Sequence, residues 1–188
     1  MARIKIPMIK RILVGLFAGL ITVVCFAHYG FGDLNAALKA LVSFAIAMIL
    51  ICIAVIDIDR MEIPDELLIV LIVPAIVSIF VFQNISMIER VIGAFCVALP
   101  LYLLNFVIKD AFGGGDIKLY FVCGFILGWK NTLLSMAVAF LIGGGYATIC
   151  LLAKKIKRKQ HIAFGQYICI GVYLSLLFGE EILVCLKM

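Results

Sequence analysis

Charged residues are scarce in this sequence. They make up 14% of its 188 residues, whereas hydrophobic residues make up 66%, and the mean hydropathy is +1.26. An ordinary soluble domain is about half apolar and about a quarter charged. A water-soluble fold of this size cannot bury so much apolar surface. The composition therefore excludes a soluble globular protein and predicts one that is embedded in a lipid bilayer.

The sequence also lacks the alternation of apolar and polar residues that marks transmembrane β-strands. Its apolar residues form long unbroken runs instead, and such runs favour helices, which satisfy their own backbone hydrogen bonds in lipid. We predict an all-α polytopic membrane protein with about seven transmembrane helices, six to eight being possible, in one domain over residues 1–188. The seven runs are 12–28, 37–56, 66–82, 91–108, 117–129, 132–153 and 164–184.

Metal-ligating patterns are missing as well. The seven cysteines form no C-x-x-C pair and lie singly in apolar runs, where they resemble small hydrophobic residues. The two histidines, His28 and His161, fall on opposite sides of the predicted membrane. Zinc sites need closely spaced ligands. The sequence thus predicts no metal and no cofactor.

The basic residues are distributed unequally between the two sides of the predicted membrane. With the N-terminus inside and seven crossings, twelve of the 16 lie on the cytoplasmic side and four on the other. Cytoplasmic loops of membrane proteins carry such an excess. The net charge of +5 therefore reflects topology and gives no reason to expect a nucleic-acid partner. The four outer residues are Lys39, Arg90, Lys130 and Lys187.

Acidic residues cluster on the predicted cytoplasmic side in two segments, VIDIDRMEIPDELL and KDAFGGGDIKL. In the first, Asp57 directly follows an apolar run and so lies closest to the hydrocarbon. Asp65 follows Pro64, and a proline followed by acids is a normal helix start. We also predict that Pro64, together with Lys118, supports the site. Asp59 is expected to face water beside Arg60. Asp57 is therefore the acid of this segment that lacks an ordinary structural role.

Asp116 is the exceptional acid of the second segment. Gly113, Gly114 and Gly115 precede it, and we interpret them as a supporting loop whose conformational freedom lets the chain turn and bring two helices together. A second triple glycine, Gly143–Gly145, is followed by Tyr146, so triple glycine alone indicates packing. An ionisable residue at the membrane edge is costly and indicates function.

Two carboxylates on one side of a membrane suggest a particular chemistry. If they approach to a few ångströms, both cannot be ionised easily, so they share one proton. The ionised group can then take a proton from water, while the protonated group polarises a peptide carbonyl, as in aspartic proteases. Asp57 and Asp116 are the candidate pair.

The motifs D-x-x-x-x-x-I-P-D (57–65) and G-x-G-D-x-K-L (113–119) together resemble the prepilin peptidase family, membrane aspartic proteases that process type IV pilin-like precursors. The resemblance implies that Asp57 and Asp116 are the catalytic pair. It extends to HIAFGQY, which is similar to the family's P-F-G-P segment, although Ala163 and Gln166 stand where prolines are usual.

The resemblance also implies a cellular setting. The expected protein is a multi-pass endopeptidase of the cytoplasmic (inner) membrane of a prokaryote, which removes leaders from type IV pilin-like precursors. Larger members carry an insert with C-x-x-C pairs and also N-methylate the new terminus. This chain is similar to the short, Flp/Tad-like form without that insert, so we expect no methyltransferase activity.

Other functions remain as alternatives. A small proton-coupled transporter could use Asp57 and Asp116 as carriers, although carriers usually place such acids near the midplane within paired repeats. A structural subunit of pilus assembly is a second alternative, but both aspartates are intact. Presenilin-type proteases share G-x-G-D, but their Y-D partner motif is absent before Asp57.

Two further residues have more than one plausible role. Lys118 either extends its ammonium to the membrane interface or tunes the carboxylate pair and holds substrate. Asn105 makes either a hydrogen bond between helices or a contact close to the active site.

Overall fold

The computed structural model describes residues 20–21, 23–25, 27–30, 33–108, 112–153 and 163–186, with the backbone alone at residue 150. Regular structure within these residues is entirely helical. Described residues between 20 and 29 are helical, and five helices follow them. They are α1 (Leu34–Arg60), α2 (Asp65–Val81), α3 (Met87–Val107), α4 (Gly114–Leu152) and α5 (Gly165–Cys185).

Several of these helices suit a membrane. By length and composition, α1, α3, α5 and the part of α4 from Gly114 to Ile149 could each cross a bilayer. The predicted all-helical membrane protein is confirmed at this level. The count of seven crossings and the position of the N-terminus stay predictions.

Local sequence explains where the helices begin and end. α1 ends at Arg60, and Met61 after it has the left-handed conformation (φ 55°) and donates its N–H to the Asp57 carbonyl at 2.8 Å. Pro64 precedes the first residue of α2, as the proline followed by acids predicted. α3 begins with a capping box in which Ser86 and Glu89 satisfy each other's backbone N–H.

α4 is a helical hairpin. Its residue Gly128 has φ 72° and ψ 167°, a backbone conformation that no helix contains. The ring centroids of Phe112 and Phe140 lie 6.1 Å apart. A straight helix would separate two such residues by about 42 Å, at a rise of about 1.5 Å per residue. The chain therefore reverses at Gly128, giving a first arm (114–127) and a second arm (129–152), in line with the separate runs seen in the sequence.

A buried arginine fastens the turn of this hairpin. Arg90 is 1% exposed and donates to the carbonyls of Phe82 at 2.8 Å and of Phe125 and Ile126 at 3.3 Å. It also donates to the carbonyl and hydroxyl oxygens of Ser78, both at 3.0 Å. These carbonyls stand at or near helix C-termini, where backbone acceptors lose their helical partners. From the sequence alone, Arg90 is only one of four basic residues predicted on the outer side, and its burial is not predicted.

Glycines bring α3 against the first arm of α4. A Cβ built on Gly93 would lie 2.3 Å from the carbonyl oxygen of Gly124, and one on Gly124 would lie 2.2 Å from that of Gly93. Only hydrogen fits between backbones this close. The sequence spacing of Gly124 and Gly128 predicts a close-packing face, and these contacts confirm it.

Successive helices alternate in direction, so the bundle has two distinct ends. The end of α1 and the starts of α2, α4 and α5 meet at one of them, which we call the carboxylate end. Lys39 lies at the opposite end, where it lines a cavity with Asn84 and Glu180. Arg90 and Lys130 lie near Gly128 at that same opposite end. These three basic residues therefore lie at one end of the bundle, and the side of the membrane that the sequence assigns to them stays a prediction.

Candidate active site

Asp57 lies in the last turn of α1 and is buried, with 4% of its surface exposed. Its Oδ2 atom accepts a hydrogen bond of 3.1 Å from the backbone N–H of Gln166, in the first turn of α5. A Cβ built on Gly165 would lie 2.8 Å from the same Oδ2. The absence of a side chain at Gly165 therefore lets the start of α5 reach the carboxylate.

Asp116 is the third residue of α4 and is 8% exposed. Its own N–H donates to the carbonyl of Gly113 at 3.1 Å, which closes the first turn of the helix. The Asp116 carboxylate also lies against Gly113, where a built Cβ would be 3.3 Å from Oδ2. The side chain is thus fixed by the loop that precedes it.

The two buried aspartates share one cavity of about 730 Å³ at the carboxylate end. They lie close enough for the charge of Asp57 to act on Asp116. Glu62, Asp65 and Glu66 also line this cavity, but all three are exposed, and Asp59 is exposed outside it. Among the residues that the structure describes, burial therefore distinguishes Asp57 and Asp116 from the exposed acids near them.

The structure corrects the reason for the triple glycine. Gly113 has φ −64°, and Gly114 and Gly115 begin a regular helix, so none of them uses the left-handed region. The expectation that conformational freedom requires them is wrong. Gly115 is instead needed for a close approach, because a Cβ there would lie 2.8 Å from the Cβ of Ile63. Ile63 belongs to the connection between α1 and α2 and lines the same cavity.

The contact between Gly115 and Ile63 predicts that alanine has different effects at Gly114 and at Gly115. Gly115→Ala must displace Ile63 or the first turn of α4, whereas a Cβ on Gly114 meets nothing within 4 Å. We expect Gly115→Ala to lower the rate of substrate cleavage by about tenfold or more, since small misplacements at a reacting centre are costly. Gly114→Ala is the matched control and should retain most activity. Equal rates for the two variants, measured at equal membrane levels, would contradict this assignment.

Lys118 and Asp65 join the first turns of α4 and α2. The Lys118 ammonium lies 2.8 Å from Oδ1 and 2.9 Å from Oδ2 of Asp65, and both side chains are mostly exposed. Both residues line the cavity of the aspartates. Pro64, the other supporting residue predicted from sequence, lies between Ile63 and Asp65 and starts α2.

Asn105 fixes the chain just before the glycines. Its side chain donates to the carbonyl of Phe112 and accepts from the N–H of Phe112, both at 2.9 Å. The Phe112 ring packs on Phe164, with centroids 5.7 Å apart, and Phe164 immediately precedes α5. Asn105 thus joins the end of α3 to the connection that leads into α4, close to the site, and the aromatic contact connects the segments that precede α4 and α5.

An apolar groove adjoins the site. It has a volume of about 580 Å³ and runs between α2 on one side and α3 with the first arm of α4 on the other. Asp65 and Lys118 line both the groove and the aspartate cavity. Exposed apolar side chains, Ile69, Phe95 and Leu99 among them, form its walls. The apolar groove therefore adjoins the cavity of the carboxylates at Asp65 and Lys118.

Sequence reasoning missed three contributors to this site: the closely packed Gly165, the N–H of Gln166 and the Ile63 side chain. The segment HIAFGQY carried the only signal for the first two. Among the residues that the structure describes, no three His, Cys, Asp or Glu side chains lie close enough together to hold one metal ion.

The region that contains the two buried aspartates matches a known protein family. The model of the type IV leader peptidase family matches residues 44–148, more than half of the chain. The chain belongs to this family. The matched region contains both buried aspartates, the triple glycine and Lys118. The resemblance of the two motifs to the prepilin peptidases is therefore confirmed.

Curated relatives cover most of the chain. It is 30% identical over 166 residues to the prepilin leader peptidase/N-methyltransferase of Bacillus subtilis, covering 88% of this chain and 66% of that protein. It is 28% identical over 158 residues to the protein of that name from Aeromonas hydrophila, covering 81% and 52%. The Stutzerimonas stutzeri protein is 27% identical over 175 residues, covering 90% and 59%.

The chain thus spans between about half and two thirds of the length of these curated relatives. No solved structure matches it significantly.

Proposed function

We propose that this protein is a membrane aspartic endopeptidase that removes the leader peptide from type IV pilin-like precursors. The observation that carries the proposal is the pair of buried aspartates in one cavity, each at a helix end and each lying against the backbone of a glycine. Family membership and the relatives named as prepilin leader peptidases support the same activity. In this proposal residues 1–188 form a single transmembrane peptidase domain.

The pair would work by moving protons. One aspartate is ionised and takes a proton from a water molecule, whose oxygen attacks the carbonyl carbon of the scissile peptide. The other aspartate gives its proton to the carbonyl oxygen, which leaves a neutral tetrahedral diol. As the C–N bond breaks, the first aspartate passes its proton to the leaving nitrogen and the second takes one from a diol hydroxyl. The pair is thereby restored.

The apolar groove supports a substrate with an apolar segment beside the scissile bond. A peptide in lipid must satisfy its own backbone hydrogen bonds, so such a segment would be helical. The groove lies beside the aspartate cavity and shares Asp65 and Lys118 with it. A precursor with a charged leader followed by an apolar helix fits these two environments.

The proposed activity concerns leader removal alone. The N-methyltransferase part of the relatives' name describes those proteins. Co-expression with candidate pilin-like precursors tests the proposal, because leader removal gives a smaller product on a gel. A precursor that stays full-length with every candidate, while the protein is present in the membrane, would argue against it.

We further propose that the carboxylate end faces the cytoplasm of a prokaryotic inner membrane. The excess of basic residues predicted for this side supports that orientation. Reporter fusions after Arg60 and after Lys159 are expected to report cytoplasm, and a fusion after Asn84, at the opposite end, is expected to report the outer side. A cytoplasmic signal at Asn84 together with an outer signal at Arg60 would reverse the orientation.

A further inference from the structure

The N-terminus of α5 lies against one of the two aspartates, Asp57. The Gln166 N–H donates to Oδ2 of Asp57 at 3.1 Å, and the backbone of Gly165 lies directly against the same carboxylate. N–H groups in the first turn of a helix have no acceptor within the helix. They are therefore available to a carboxylate, and their binding stabilises its ionised form. The Asp116 carboxylate lies in the first turn of α4, and among the described residues no N–H donates to it with the geometry of the Gln166–Asp57 hydrogen bond.

The surroundings of Asp57 make these donors important. Asp57 stands at the C-terminal end of α1, where the helix dipole disfavours negative charge. The first turn of α5 opposes that effect with the N–H of Gln166. The approach depends on this chain's own residues, because Gly165 leaves the space for it and residue 166 is a glutamine. A proline at position 166 would have no N–H to donate.

We infer that the N-terminus of α5 holds Asp57 as the ionised partner of the pair, so that Asp57 takes the proton from water and Asp116 carries the shared proton. This inference rests on the proposed peptidase function and deepens it by assigning the two roles. Gln166 acts through Asp57 and is a positioning residue.

Other titratable groups also face the pair. The cavity of the aspartates is lined from α2, α4 and the α1–α2 connection by charged side chains, and the buried Tyr120 of α4 and Cys169 of α5 lie near the pair. The charged residues of the lining are Glu62, Asp65, Glu66 and Lys118, besides Asp57 and Asp116 themselves. A useful test must leave all of these unchanged and remove the N–H of residue 166.

Gln166→Pro removes the N–H and is compatible with the first turn of a helix. Gln166→Ala is the matched control, because it keeps the N–H and loses the same side chain, including its 3.4 Å contact with the Ala163 carbonyl. We measure the rate of precursor cleavage against pH for both variants. In the plot of cleavage rate against pH, the rise on the acidic side (the acidic limb) should lie about 1–2 pH units higher in Gln166→Pro than in Gln166→Ala. A shift of this size corresponds to the free energy of one hydrogen bond to a charged group.

The direction follows from the role of each carboxylate. The acidic limb reports the first ionisation of the pair, and losing a donor to the group that ionises first makes that step harder. The basic limb reports loss of the shared proton from Asp116 and should stay in place. If Asp116 were the ionised partner, the basic limb would move instead, and the assignment would be overturned. Identical profiles in both variants would equally overturn it.

A second variant distinguishes the loss of the N–H from a folding defect caused by proline in Gln166→Pro. Incorporating lactic acid at position 166 replaces the N–H by an ester oxygen and otherwise reproduces Gln166→Ala. The same upward shift of the acidic limb is expected, and its absence overturns the inference. If the wild-type protein cleaves no precursor, the proposed function fails, which is a different result from an unshifted profile in an active enzyme.

Discussion

Asp57→Asn and Asp116→Asn are each expected to abolish leader cleavage. Asparagine preserves size and some hydrogen bonding, but it cannot accept or release the proton that the pair must move. General acid–base catalysis contributes about 10²- to 10⁴-fold to a rate, so the loss should be at least of this size. The measurement is the fraction of co-expressed precursor that loses its leader, with the amount of enzyme in the membrane determined on the same samples.

The double variant and Asp59→Asn provide the controls. The double variant should be no worse than either single variant, because groups that act as a unit are not additive. Asp59 lies two residues from Asp57 but is exposed and outside the cavity, so Asp59→Asn should retain substantial activity. An inactive Asp59→Asn beside an active Asp57→Asn would show that the wrong aspartate was chosen. Cleavage by both Asp57→Asn and Asp116→Asn would refute the protease proposal.

Gly165→Ala is expected to cause the second largest loss. The added Cβ would lie 2.8 Å from Oδ2 and 2.9 Å from Cγ of Asp57, and 3.1 Å from Cδ1 of Ile63. Either the carboxylate or the start of α5 must therefore move. A misplacement of about 1 Å at a reacting group can lower the rate about 10²-fold, so we expect a loss of that order. Initial cleavage rates on a purified precursor measure it.

Gly144→Ala is the matched control for this variant. A Cβ on Gly144 meets nothing within 4 Å, and the residue lies in the second arm of α4, so alanine should be tolerated there. Thermal unfolding in detergent then separates a local effect from a folding defect. If Gly165→Ala cleaves as fast as Gly144→Ala, the close contact between α5 and Asp57 does not determine activity.

The sequence predicted much of the candidate site because its signals are local. Asp57 follows an apolar run, Asp116 follows three glycines, and both lie in short motifs that can be recognised without any tertiary contact. Alternation of the helices then places both on one side. The structure buries these two acids and exposes the neighbouring acids that it describes, whereas their catalytic role stays a prediction.

Reasoning from residue type was wrong where a residue has more than one use. Glycine permits unusual backbone angles and also permits close contacts, and the sequence does not distinguish the two. Gly115 allows a close contact with Ile63, whereas Gly128 adopts the φ of 72° that the turn of the α4 hairpin requires. Arg90 likewise counted as one surface charge, although its guanidinium is buried among carbonyl oxygens of α2 and the first arm of α4.

By itself, the sequence determined the membrane class, the helical architecture and the two candidate aspartates, because composition, run length and short motifs express them directly. Only the tertiary structure decided which groups hold each carboxylate. Asp57 and Gln166 are 109 residues apart, and their hydrogen bond exists because α1 and α5 meet at one end of the bundle. No local pattern encodes a contact between backbone and side chain at that separation, since it depends on how all the helices between them pack.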